Sequence, residues 1–140
     1  MILMGMLLFS CDNDDYPHAE IPSVVLNEFW SHFPKASDVE FAKTGDDYMV
    51  DFEWNGNDAG VVIAPAGVVI KEKMEISFEE LPAGVKQALG KFRKNKIGDI
   101  EIVKINDNTF YQVEIKQFWL DKRIVLDTTG KEENKLSYWH

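Results

Sequence analysis

Compared with itself, the chain matches at a nearly constant offset, and this self-similarity constrains the fold more than any other feature. Ile21-Pro22-Ser23-Val24-Val25 corresponds to Leu81-Pro82-Ala83-Gly84-Val85 at an offset of 60. Asp38-Val39-Glu40-Phe41 corresponds to Asp99-Ile100-Glu101-Ile102 at 61. Tyr48, Val50 and Phe52 correspond to Tyr111, Val113 and Ile115 at 63, as do Val61-Val62-Ile63 and Gly67 to Ile124-Val125-Leu126 and Gly130. The offset grows only between matched blocks, where connections tolerate insertion. Four matches in one order predict two tandem copies of one unit, residues 21–75 and 76–140.

Each unit is expected to open with a helix. Pro22 and Pro82 suit the first helical position, where a missing N–H costs nothing. Val25, Phe29 and Phe33, and then Val85, Leu89 and Phe92, recur at helical spacing and give each helix one apolar stripe. Strands follow. Tyr48, Val50, Phe52 and Trp54 alternate with Met49, Asp51 and Glu53, the period of a strand with one buried and one open face. Gly45-Asp46-Asp47 and Asn55-Gly56-Asn57-Asp58 read as tight turns. Further strands are expected over 61–64, 68–70, 100–105, 110–119 and 123–127, with a last one near 135–139. Short turns imply antiparallel pairing. The expected fold is α+β: two tandem repeats, each a helix followed by an antiparallel β-meander, with the two sheets edge to edge or face to face.

The run Met1 to Phe9 is almost wholly apolar but far shorter than the ~20 residues a membrane span needs. It reads as the hydrophobic part of an export signal over residues 1–10. No Lys or Arg precedes it, a departure from the usual basic start of such signals. Leu8-Phe9-Ser10-Cys11 resembles a bacterial lipobox. The resemblance implies cleavage after Ser10, a lipid on Cys11 that holds the protein to a membrane, and an outer-membrane lipoprotein facing the periplasm or the cell surface. The other reading of Cys11, the single cysteine of the chain, is a spare thiol. Residues 11–20, with Asp12-Asn13-Asp14-Asp15, form an acidic tether.

The net charge of −9 falls entirely after Ser10, so nucleic acid is excluded as a natural partner. His18, His32 and His140 share no metal-ligand spacing, phosphate-binding glycine loops are absent, and nothing pairs a nucleophile with a base. No cofactor, metal or catalytic residue is expected. By strand parity, Glu40, Asp51 and Glu53 share the open face of the first unit, and Glu101 and Glu114 take matching places in the second. They read either as a solvated face or as an acidic surface for a basic partner or a cation. Phe110 and Phe118 face opposite Tyr111 and Trp119. They are either exposed for binding or packed into a shared core.

Ile21-Pro22 with Phe29 and His32-Phe33-Pro34, Tyr48-x-Val50-x-Phe52, and then Leu81-Pro82, Val85 and Tyr111-x-Val113 resemble the PepSY-like family grouped with the β-lactamase-inhibitor-protein-like (BLIP-like) folds. The resemblance implies a non-enzymatic domain of the cell envelope. Its open sheet would recognise an unidentified protein, such as a secreted enzyme that it restrains.

Overall fold

A computed structural model describes residues 20–140 of the chain. The expected signal, Cys11, His18 and nearly all of the tether lie outside the described residues. Two α-helices, α1 (Ser23–His32) and α2 (Ala83–Leu89), accompany seven strands. The strands are β1 (Ser37–Thr44), β2 (Asp47–Trp54), β3 (Asn57–Ile63), β4 (Val69–Glu75), β5 (Ile97–Ile105), β6 (Asn108–Ile115) and β7 (Lys122–Asp127). All seven form one antiparallel sheet whose spatial order equals their order in the chain.

This corrects the expected architecture. The chain is mostly β, and it does not divide into two helix-plus-meander repeats with a sheet each. β4 pairs directly with β5, from Lys71 opposite Ile105 to Glu75 opposite Glu101. The physical reason lies in the backbone: a strand left at a sheet edge presents unpaired N–H and C=O groups, and pairing β4 with β5 satisfies both. Two further expectations also fail. β6 ends at Ile115 rather than at Trp119, and no strand forms over 135–139.

Local chemistry explains the connections. Asn55 and Gly56 both take positive φ (52° and 79°), the two-residue turn that matches the twist of the hairpin between β2 and β3. Pro22 and Pro82 stand one residue before their helices, at the cap, where their carbonyls accept the first helical N–H bonds.

Both helices cover the same kind of surface. Val25 and Phe29 of α1 pack with Phe41, Val50, Phe52 and Val61 of β1 to β3. Val85 and Leu89 of α2 pack with Ile100, Tyr111, Val113 and Ile124 of β5 to β7. Among the described residues no helix covers the sheet's other face, and the chemistry of that face changes along the strands.

Candidate functional site on the open sheet face

Ladder pairing fixes which side chains share the open face. Glu40 lies opposite Asp51, Glu53 opposite Asp58, and Glu75 opposite Glu101. Direct neighbours on a sheet lie side by side, so these carboxylates form one band across the end of the sheet where β2, β4 and β6 finish. The register of β1 shifts between Ser37 and Glu40, and Asp38 within that bulge takes a positive φ of 49°. The bulge turns Asp38 toward the band. Asp38, Glu40, Asp51, Glu53, Asp58 and Glu101, with Lys73, line an open groove of about 350 Å³.

Four residues expected from sequence parity, Glu40, Asp51, Glu53 and Glu101, are therefore brought together. Glu114 shares the face further along, where it pairs with Lys116 and, at 3.5 Å, with Arg123. Parity missed Asp38, Asp58, Glu75 and Lys73. Alternation of Lys71, Lys73 and Glu75 was the available signal, but the expected strand stopped at Ile70.

The groove's electrostatics follow from burial and crowding. Burial pushes the Asp51 carboxyl up from its ordinary 3.8, with the Lys73 ammonium opposing. Glu75 is also raised, first by burial and then by Asp99, Asp58 and Glu101. Lys73 sits 3.8 Å from Glu101, whose other oxygen accepts from Gln112 Nε2 at 2.7 Å. A carboxylate raised in the folded state holds its proton more tightly there than in the unfolded chain. Ionised Asp51 therefore works against folding above its raised value, and that penalty vanishes below 3.8. Asp51→Asn is expected to raise the melting temperature at about pH 7 and to lose that gain by about pH 4. Thermal melts at both values check it, and equal gains would contradict the burial account.

Among the described residues, no three His, Cys, Asp or Glu side chains are placed to hold a metal ion. The carboxylates are spread along the groove with an ammonium among them, an arrangement suited to a charged surface rather than a coordination shell. His32, at the end of α1, is tied to its own helix through the Glu28 carbonyl at 3.0 Å. The His140 ring stands 5.2 Å from that of Tyr138.

Phe118 has left the sheet. The connection from β6 to β7 carries Phe118, Trp119 and Leu120 at 88%, 91% and 78% exposure. Trp119, on the other strand face by parity, is likewise almost wholly in solvent. The loop's neck is tied: Gln117 N–H donates to Asp121 Oδ1 at 3.3 Å, and Lys116 pairs with both Asp121 and Glu114. The Phe118 and Trp119 rings meet edge to face at 4.8 Å. The loop leaves β6 at the end of the sheet that carries the acidic band. Phe110 does the opposite of what its parity partner does. It is half-buried on the open face, packed in a cluster with Trp139.

Fold and site together define a one-sheet, mostly β protein with an acidic open face. The same fold occurs in solved structures from Bacteroides. One is a provisionally periplasmic protein from Bacteroides eggerthii, with a TM-score of 0.71 and 17% identity over 79% of this chain and 84% of that one. Another is a DUF2874 family protein from Bacteroides uniformis, with a TM-score of 0.69 and 20% identity over 79% and 85%. A third is a BLIP-like protein from Bacteroides fragilis, with a TM-score of 0.65 and 18% identity over 81% and 84%. At these identities the likeness establishes the fold. It supports the BLIP-like part of the sequence resemblance and gives no support to the PepSY part. No family model and no curated protein matches the chain.

Proposed function

We propose that this chain is an envelope binding module, held to a membrane by a lipid on Cys11, that recognises a protein and restrains it sterically, a secreted enzyme being the fitting partner. The observation that carries this reading is the placement of an acidic groove and an exposed aromatic loop at one end of the sheet. Phe118 and Trp119 are the kind of rigid side chains that dominate binding energy when they fill a pocket. The tied neck keeps the loop ordered before docking, which lowers the entropy lost on association. Glu40, Asp51, Glu53 and Glu101 favour a basic rim on the partner and speed the encounter. The provisionally periplasmic and BLIP-like neighbours fit an envelope protein that binds rather than transforms its partner.

A crosslinking pull-down from the envelope fraction tests it, comparing the parent chain with a Phe118→Ala, Trp119→Ala double variant. A partner captured by the parent and lost in the variant is expected. Equal capture by both would remove the loop from recognition. The same membrane-extracted preparation, weighed intact, reads the anchor. A lipid-bearing mass beginning at Cys11 is expected, and an unmodified chain beginning at Met1 would overturn that part.

A further inference from the structure

The remainder of the open face holds a second site, which shares Lys73 with the acidic groove and lies apart from the aromatic loop. Residues 135–140 cross it without helix or strand, and Trp139 is the one buried residue among them, at 9% exposure. Its indole rests on an apolar patch of Met49, Val62, Ile70, Val103, Ile105 and Phe110. Two ammonium groups lie over the ring, Lys71 Nζ at 4.5 Å and Lys73 Nζ at 4.9 Å from its centroid. The polar contacts go to the main chain. Gln112 Nε2 donates to the Trp139 carbonyl at 2.7 Å, and the Trp139 N–H donates to Gln112 Oε1 at 3.0 Å. Lys73 Nζ donates to the same carbonyl at 3.3 Å.

This division of labour is that of a peptide-recognition site. Main-chain bonds accept any residue in extended backbone, and one socket selects a side chain, here an aromatic favoured by the two cations. Gln112 is 1% exposed. With the seat empty, Gln112 Nε2 would keep its bond to Glu101 Oε1 at 2.7 Å, but its Oε1 would lose the Trp139 N–H that it accepts from, and a buried acceptor left without a donor is costly. The occupant is anchored at Trp139, and the rest of the segment lies loosely around it. Asn134, Lys135 and Ser137 are exposed, and a void of about 20 Å³ remains beneath the segment against Phe110 and Val125.

We infer that this trough is a binding site for an extended peptide segment of a partner protein bearing an aromatic residue, and that residues 135–140 are its resident occupant, which the incoming peptide displaces. A tethered segment competes at roughly millimolar effective concentration, so the site is gated in the intact chain.

The test uses the full chain carrying Trp139→Ala and a labelled synthetic peptide of residues 134–140, read by fluorescence anisotropy. Saturable binding is expected, about tenfold or more tighter than to the parent chain. It should be lost on adding Gln112→Leu and lost with a peptide in which the tryptophan is alanine. A folded Trp139→Ala chain that does not bind, binding that survives Gln112→Leu, or equal binding by the parent each overturns the inference. Should Trp139→Ala fail to fold, the Gln112 side-chain amide resonances of the parent are followed under millimolar peptide. A saturating shift supports the site, and unmoved resonances overturn it. A concentration-dependent dimer of the parent that Trp139→Ala abolishes would assign the trough to a second copy of the chain and overturn the partner-peptide reading. The outcome is independent of the Phe118 and Trp119 pull-down, which addresses another part of the surface.

Discussion

Phe29→Ala is expected to lower the stability of the fold by about 3–5 kcal/mol, roughly the cost of emptying a large aromatic site in a closed core. Phe29 is 1% exposed and stands at the middle of an aromatic cluster. Its ring lies 5.0 Å from Phe52, 5.5 Å from Phe41 and 5.7 Å from Phe33, while Phe33 in turn meets Phe52 at 4.6 Å and Trp54 at 5.3 Å. Three of its contacts, with Trp30, Phe41 and Phe52, are edge to face, a geometry that adds about 0.5–1.5 kcal/mol per pair beyond the area buried. Its neighbours come from α1, β1 and β2, so collapse into the space would have to move a helix against a sheet. Against a total of about 5–15 kcal/mol, such a loss takes up a large share of the margin. Urea unfolding of the variant and of Phe29→Leu checks it. The leucine variant should lose clearly less, and equal losses would mean that the ring contributes only by the presence of an apolar group.

The second large effect is expected at Gly84, with a sign opposite to what helix propensity alone dictates. Within α2, alanine in place of glycine would ordinarily stabilise by up to ~1 kcal/mol. Here a Cβ on Gly84 would stand 2.5 Å from the Thr129 carbonyl oxygen and 2.8 Å from its carbon. The obstacle is backbone, in a turn already fixed by Asp127, which accepts from Thr129 N at 2.9 Å and from Lys131 N at 3.1 Å. Gly130 follows at φ +90°, and a Cβ there would in turn meet the Gly84 carbonyl, so each glycine makes room for the other's backbone. Gly84→Ala is therefore expected to destabilise by about 1–3 kcal/mol, the usual cost of forcing atoms into filled space. Chemical denaturation decides: a gain in stability would mean that α2 shifts freely over β7.

How far the sequence foretold this molecule depends on the range of the interaction concerned. Alternation of Tyr48, Val50 and Phe52 is a local signal, and β2 follows it, which is why Asp51 and Glu53 were found on the open face. The same rule misled at Phe118 and Trp119. Alternation persists through 110–119, but Ile115 is the last residue opposite a β5 partner, Ile97, and parity carries no information about where a partner strand stops. The join of β4 to β5 left no local mark. It brings together residues such as Lys73 and Val103 that have no shared pattern, and this join makes one sheet where two repeats were expected. The seat of Trp139 was hidden for the same reason. Its partners, Gln112 of β6 and Lys71 and Lys73 of β4, lie in two strands far from it in the chain, and a lone tryptophan in a polar segment reads equally well as exposed.

The identity of spatial and chain order also governs how the sheet assembles in time. Five of the six pairings, β1–β2, β2–β3, β3–β4, β5–β6 and β6–β7, close between strands separated by a handful of residues, contacts of low sequence separation that form rapidly. The sixth, β4 with β5, must wait for residues 76–96 to be ordered, α2 included, before its ends can meet. Loop-closure entropy grows only slowly with length, so the delay comes chiefly from placing the helix. Folding of this chain is thus expected to advance as two quick local zippings, with the central seam closing last, and stopped-flow refolding in which a β4–β5 seam variant refolds no more slowly than the parent would overturn that order.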